Sequence, residues 1–573
     1  MYVLGIHDGH DASACLMRDG QVVLGSAEER RRNIKNCSGT PRESIREILR
    51  RSGVKPSEID LVALGCRLRT AAVAVGQSPW YTHAMKLAVG LGRYHWGTEL
   101  GRWALEKVSR REDLFSCLAE MGIPAPVVKF DHHHTHAASA YYHRPWEEDA
   151  VVLTLDGAGD GLCASVWRGS GQELERIAWT PKFHSIAAHF YSAITIHLGM
   201  KPWEHEYKVM GLAPYGQAEY CIERLRGLFE VDRLEFKNRS GRIFQGMTRL
   251  MHRRLQGQRF DNIAAACQTV FEELVVQWVK NAVAATGIGR VCAAGGAFLN
   301  VKANKLIREL PNVKSLYVYP AADDGGTSTG AAILGYLHVC DGTKEPSLEL
   351  PKDMYLGLEY SDEECCAALE EESGIEFVRM TDPAEEVAEL LAAGHVVARF
   401  AGREEWGPRA LGNRSILADP RNMGIIRKLN FAIKHRDYWM PFAASILEED
   451  AATYIKNPTA HAFYMIEAFD TLQPAGEAIV AGTHPFDKTV RPQIVNELNI
   501  PYRDLIRAFK GRTGIGAVLN TSFNLHGFPI VGTPQVAIDT LMRSGLDALA
   551  LGPYLAWRRG CKPSIGLGQN PRI

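Results

Sequence analysis

The sequence predicts an α/β protein of two domains, the larger one duplicated within itself. Three observations carry this. A strand, a Gly/Asp loop, a second strand, a tight turn and a third strand occur at residues 2–27 and again over residues 150–180. Helix-favouring sequence follows each copy. A polar, Pro-containing stretch beyond residue 340 then separates a second run of strands and helices. The domains are expected at 1–345 and 363–573, with 346–362 as linker.

In the first copy, Tyr2–Ile6 and Ala14–Met17 are apolar runs joined by the polar loop His7–Ser13. Asp19-Gly20 is a hairpin signal before Gln21–Ala27. The second copy reads Val151–Leu155, the loop Asp156–Gly161, Leu162–Trp167, the turn Arg168–Gly171 and Leu174–Trp179. Between them, about residues 68–122 form a helical insertion. Its Trp80, Tyr81, Tyr94, Trp96 and Trp103, with Lys86, Arg93 and Arg102, fall at helical spacing. That spacing predicts amphipathic packing onto the core. Residues 258–287 repeat apolar positions over a long helix, and Arg290–Ala294 is a strand running into Gly295-Gly296. A glycine pair between strand and helix lets backbone approach a ligand and points N–H groups at phosphate. Lys208 lies on a short helix ended by Gly211. In the second domain, Val396–Phe400 and Gly516–Leu519 read as strands.

A formal net charge of −1 provides no chain-wide basic field for nucleic acid. No stretch approaches the apolar length that spans a bilayer, and Met1–Ile6 runs straight into a strand rather than a leader. The twelve cysteines include no CxxC, so they are expected as free thiols in a reducing compartment. A cytoplasmic protein is the expectation, with neither nucleic-acid nor membrane partners.

The chemistry centres on Asp131-His132-His133-His134-Thr135-His136. Residues four apart share a helix face, so His132 and His136 can aim at one point. Asp156 and Asp324 each follow an apolar strand and precede glycines. Two His and two Asp would make a mixed N/O site suited to iron, manganese or zinc, the alternative being a His-rich helix start with surface imidazoles. In the second domain Arg409 and Arg414 sit among Gly and Pro, followed by Lys428, Lys434, His435, Arg436 and Arg491. With Asn520 and Ser522 at a strand end, these suit a phosphate pocket.

The two facing Gly/Asp loops match the plan of the actin/sugar-kinase/Hsp70 superfamily, whose cleft holds a nucleotide. Taken in order, the motifs resemble the O-carbamoyltransferases of nodulation, cephamycin and tobramycin biosynthesis over nearly the whole chain. They are His10-Asp11-Ala12-Ser13, His132–Ala138, Asp156–Asp160, Tyr207–Gly216, Gly295–Asn300, Asp324–Gly326, Gly407–Ile416 and Asn520–Asn524. The resemblance implies a metal-bearing transfer domain like the tRNA threonylcarbamoyl-transfer protein and a C-terminal domain like its adenylate-forming (YrdC-like) partner. It implies that ATP with Mg2+ and carbamoyl phosphate give carbamoyl adenylate, whose carbamoyl group passes to a hydroxyl of a small natural product of antibiotic or glycoside type. His132, His136, Asp156 and Asp324 would hold the metal, iron as Fe2+ or another divalent transition ion. His10 would be the base, acting with His132 and Asp156 at the reacting centre. Lys208, Gly211, Gly295, Gly296 and Asn300 would meet the adenylate in the first domain. Arg409, Lys434, Arg436, Arg491, Asn520 and Ser522 would bind nucleotide and phosphate in the second. The resemblance also favours a homodimer.

Two positions depart from the family pattern. Met440 stands where relatives carry a phosphate-contacting arginine, and Phe528 where they often carry an acid. Lys428, Arg414 and Arg491 are the cations that could take the place of the missing one. Competing readings are carbamoylation of a protein thiol or tRNA, a metallohydrolase, and a non-catalytic nucleotide-binding protein.

Overall fold

The computed structural model describes residues 1–69, 91–108, 111–340, 347–434, 437, 439–459 and 462–563. The chain divides into two compact units: Met1–Glu28 with Asn36–Lys352, and Glu29–Lys35 with Asp353–Ile573. Among the described residues no helix is long and apolar enough to cross a membrane. None of the twelve cysteines, all of them described, is in a disulfide.

The first unit holds two five-stranded sheets. One contains β1 (Tyr2–His7), β2 (Ser13–Arg18), β3 (Gln21–Ala27), β4 (Ile59–Leu64) and β5 (Val127–Lys129) in the order β3-β2-β1-β4-β5. The other contains β6 (Ala150–Gly159), β7 (Leu162–Ser170), β8 (Glu173–Pro181), β11 (Arg290–Ala294) and β12 (Ser315–Val318); β9 (Phe229–Asp232) and β10 (Glu235–Asn238) form a separate hairpin. Read from β8 the second order is β8-β7-β6-β11-β12. Both sheets are antiparallel across their first three strands and parallel across the rest. The hairpin turn at Asp19-Gly20 has φ of 48° and 85°, as a primed turn requires.

The helix Thr327–Cys340 packs on β1, β2 and β4, while the helix His132–Tyr142 packs on β6 and β11. The two helices also pack on each other. Their approach depends on Gly330, where an added Cβ would lie 1.9 Å from the Thr135 carbonyl oxygen. This helix pair therefore brings the N-terminal turn of one helix beside the histidines of the other.

In the insertion, the described parts are the helices His95–Val108 and Glu112–Glu120. Trp80, Tyr81 and Lys86 lie outside the described residues. Tyr94, Trp96 and Trp103 are 55%, 61% and 58% exposed, so these aromatics do not pack onto the core as their spacing predicts. Leu105 is buried in their stead; helical periodicity marks a stripe without saying which stripe faces inward.

The second unit is an eight-stranded sheet in the order β13-β22-β21-β14-β15-β20-β16-β19. Its strands are β13 (Ile375–Arg379), β14 (Val397–Phe400), β15 (Arg414–Ala418), β16 (Ala443–Leu447), β19 (Gln493–Val495), β20 (Ala517–Ser522), β21 (Ala548–Leu551) and β22 (Tyr554–Arg558). A small ribbon pairs β17 (Phe469–Asp470) with β18 (Thr489–Val490). Alternate residues of one strand enter different cores, as the period of two demands. Ala398 and Leu519 pack with Leu369 and Leu541, whereas Val397 and Val518 pack with Leu391 and Phe509. Helices thus cover both faces. The seven residues Glu29–Lys35 join this unit because Arg30 and Arg31 enter it. Arg30 Nη1 lies 3.3 Å from Glu404 Oε1 and also donates to the Glu405 carbonyl, while Arg31 pairs with Glu404.

Candidate functional site

The three consecutive histidines enter three different environments. Asp131 caps the helix His132–Tyr142, its Oδ1 accepting from the His133 and His134 N–H groups at 3.1 and 3.2 Å. Asp160 accepts the His132 N–H at 2.8 Å and the Leu68 N–H at 2.7 Å. Burial and the neighbouring Asp131 charge push the Asp160 pKa up. On the helix, His133 Nδ1 meets Thr154 Oγ1 at 2.7 Å, and His134 stacks on Trp167 at 4.8 Å. Burial lowers these two imidazoles to pKa values of about 3 and about 4. One turn apart, His132 and His136 share the remaining face.

There, one ligand atom each from His132, His136, Asp156 and Asp324 lies within 4.8 Å of every other. His132 Nε2 is 3.1 Å from His136 Nε2, 3.4 Å from Asp324 Oδ1 and 3.7 Å from Asp156 Oδ2. His136 Nε2 is 3.5 Å from Asp324 Oδ1. Both rings are fully buried. Burial works against charge on His132, yet Asp324 and Asp156 raise its pKa well above the ordinary imidazole value. Asp324 falls well below the carboxylate range despite burial, because the His132 charge and hydrogen bonds from both histidines favour its anion. Gly159 makes room for this ring: a Cβ there would sit 1.9 Å from His132 Cδ2.

His7 also belongs here, and sequence reasoning missed it. It was placed at the start of a loop, whereas β1 continues through it. Its side chain is fully buried with Nε2 3.7 Å from Asp324 Oδ2. Burial lowers its pKa against the pull of Asp324. The available signal was one more step of strand alternation after Ile6.

His10 stands in the loop between β1 and β2. Its Nδ1 contacts Asp11 Oδ2 at 2.8 Å. Burial opposes charge on this ring, but the Asp11 hydrogen bond and the charges of Asp11, Asp324 and Asp156 raise its pKa to about 9. Asp8, two residues earlier, is buried between Arg69 and Arg111, whose Nε atoms each donate at 2.7 Å.

The glycine pair reaches the same site: the Gly296 N–H donates to Asp156 Oδ1 at 3.2 Å. Lys208 and Gly211 are buried on the helix Glu206–Leu212, which packs on the long helix Phe260–Thr286. Asn300 caps the helix Val301–Arg308, its Oδ1 accepting from the Ala303 N–H at 3.1 Å and Gln268 Nε2 at 2.9 Å. Its side chain is engaged in this local structure.

In the second unit, Asn520 is fully buried, and its Nδ2 donates to Ser445 Oγ at 3.0 Å, Gln493 Oε1 at 3.2 Å and the Ala410 carbonyl at 3.3 Å. This joins the Arg409 loop, the strand that follows Arg491, and β20. Asn520 Oδ1 is buried without a partner. Ser522 Oγ donates to Asn524 Oδ1 at 2.8 Å. Gln493 and Ser445 were not anticipated, since amides and hydroxyls on strands carry no signal of their own. Lys434 ends the turn Leu429–Lys434; its side chain and Arg436 lie outside the described residues.

Two of the three cations offered in place of the arginine missing at Met440 are committed elsewhere. Arg414 is fully buried, bonded to the carbonyls of Ala401, Gly402 and Leu358 and 3.7 Å over the Phe400 ring. Lys428 Nζ pairs with Asp547 at 2.5 Å. Glu405 Oε1 accepts the N–H groups of Leu411, Asn413 and Arg414 and shapes the same loop from inside.

Residues 2–333 match the carbamoyltransferase N-terminus family and residues 388–558 the carbamoyltransferase C-terminus family. The nodulation protein NolNO of Sinorhizobium fredii is 33% identical, covering 97% of this chain and 80% of its own. NolO of Bradyrhizobium diazoefficiens is 35% identical over 75% of this chain and 79% of its own. An uncharacterized Synechocystis protein, sll1178, is 32% identical over 97% and 96%. The chain therefore belongs to the carbamoyltransferase family and is a carbamoyl-transferring enzyme.

Proposed function

We propose that this enzyme is an ATP-dependent O-carbamoyltransferase acting on a small-molecule hydroxyl. The observation that carries the reading is the buried convergence of His132, His136, Asp156 and Asp324 in the unit that matches the N-terminal family. We infer that this unit has the duplicated actin/sugar-kinase/Hsp70 plan; the shared order and sense of its two sheets support that.

In the second unit one water would cleave carbamoyl phosphate to carbamate and inorganic phosphate, and the carbamate oxygen would then bond to the α-phosphorus of ATP, displacing pyrophosphate and giving carbamoyl adenylate. Arg409, Arg491, Asn520 and Ser522 lie on neighbouring loops and strands there, and Arg and hydroxyl donors suit phosphate charge. Transfer then breaks the carbamoyl C–O bond to AMP and forms one to the acceptor oxygen, whose proton needs a base.

His10 fits that task through Asp11. The contact at Nδ1 leaves Nε2 as the nitrogen that meets the hydroxyl. Its charge is sustained by Asp11 and in part by Asp324 and Asp156; a cation on those two carboxylates would shift the ring toward the neutral acceptor form. Two imidazoles and two carboxylates fit a first-row transition ion such as Fe2+, and His132, His136, Asp156 and Asp324 would hold it. Such an ion supplies Lewis-acid stabilisation of the charge that develops on phosphate or carbonyl oxygen. The Gly296 N–H holds Asp156 in place, and the Gly295 N–H donates to the Ala322 carbonyl.

The test is pyrophosphate release from ATP with and without carbamoyl phosphate. Release that depends on carbamoyl phosphate is expected; release indifferent to it, or none, rules the adenylate route out.

A further inference from the structure

Beyond the four converging ligands, the turn after β8 carries a lysine with no counter-ion. Lys182 opens the turn Lys182–His184, and its N–H donates to the Gly161 carbonyl at 2.8 Å. Three residues on, Ser185 Oγ donates to the Gly157 carbonyl at 2.9 Å. The turn is thus tied at two points to the loop that carries Asp156. No carboxylate or hydrogen-bond acceptor meets Lys182 Nζ among the described residues; it lies 5.9 Å from the Phe244 ring centroid. Burial lowers the lysine's pKa, and the Asp156 charge acts against that lowering.

His189 shares this wall. It lies in the π-helical turn Ala187–Tyr191, fully buried, with its ring edge-on to Phe244 at 5.0 Å. π turns re-aim side chains and recur at functional sites. Neither ring nitrogen makes a hydrogen bond of normal geometry. Burial and the Lys182 charge keep the imidazole neutral, against the pull of the Lys182 backbone carbonyl on its N–H. Phe244 is 45% exposed and has φ of 49°, which a bulky residue adopts only when its surroundings hold it there.

We propose that Lys182 and His189, walled by Phe244, form an oxyanion-binding subsite beside Asp156. An ammonium without a counter-ion is open to a ligand that completes it. A phosphate or carboxylate oxygen does so with charge-assisted hydrogen bonds. The proposed reaction offers two sources: the nucleotide phosphate and an acidic group on the acceptor. Only the naming of these sources rests on that reading.

The test is calorimetric titration of the full chain, after chelator treatment, with inorganic phosphate, AMP and adenosine. Wild type is expected to show a phosphate-binding event that K182M weakens about ten- to hundredfold and K182R largely retains. H189F should weaken the same event, while adenosine binding stays unchanged in all variants that melt like wild type. Should K182M misfold, K182Q takes its place. Loss of the event when AMP is present assigns the subsite to the nucleotide phosphate; persistence beside AMP assigns it to the acceptor. Equal phosphate binding by wild type and the Lys182 variants, or none by wild type, overturns the proposal. Because the readout is anion binding, it can fail while carbamoyl transfer stands, and the reverse.

Discussion

Single side chains are set by the charges that face them. His10 is expected to titrate near pH 9 in metal-free protein, because Asp11 holds Nδ1 and two further carboxylates stand behind. Nuclear magnetic resonance of the ring should show this, with Asp11→Asn bringing the value down toward the ordinary imidazole range near 6.5. An unchanged titration in Asp11→Asn would remove the dyad. Asp547 works with the opposite sign. Burial raises its pKa, but hydrogen bonds from His395, Lys428 and the Val396 N–H bring it down to about 2 from 3.8. A depressed carboxyl pKa stabilises the fold above its unfolded value and loses that contribution as pH falls through the folded one. Asp547→Asn should therefore cost up to about 2 kcal/mol at pH 7. The difference should close between about pH 4 and 2 in denaturant melts.

Elements place the reacting groups by close approach. The helix His132–Tyr142 and the strand β6 meet where Gly159 faces the His132 ring. Gly159→Ala should displace that ring and lower bound metal per chain, measured by plasma mass spectrometry, while leaving circular dichroism near wild type. Full metal content would show that the ring can shift without leaving the site. The spacing of His132 and His136 was legible because a helix repeats its face every three to four residues. The fates of His133 and His134 were not: Thr154 and Trp167, which claim them, arrive from β6 and β7. His7 escaped for a related reason. A strand's last residue looks like the first of a loop until the opposing element, here the turn bearing Asp324, is in place.

At the scale of the whole molecule, the candidate metal ligands belong to one unit and the Asn520 network to the other. His132→Ala or Asp324→Ala should abolish carbamoyl transfer while leaving pyrophosphate release largely intact. Asn520→Ala should do the reverse, with transfer restored by supplied carbamoyl adenylate. Each separation is read from paired assays of the two half-reactions on one preparation. Loss of both half-reactions in a folded His132→Ala chain would contradict separate sites. Arg30 and Arg31 complicate the picture instructively: residues early in the chain complete the later unit by pairing around Glu404 and Glu405.

The repeated hairpins, the strand into Gly295-Gly296, the long helix and the family itself were determined by sequence alone, because each depends on periodicity, turn residues or motif order. Tertiary structure alone decided where a polar or charged group is used up or left over. It showed Arg414 consumed by carbonyls, Lys428 by Asp547, and Asn300 by its cap, while Lys182 stays without a counter-ion. It also turned Tyr94, Trp96 and Trp103 outward and carried Glu29–Lys35 into the later unit. The physical reason is common to all of these. Periodicity is a property of neighbours along the chain, whereas burial, pairing and pKa depend on which distant segment arrives opposite.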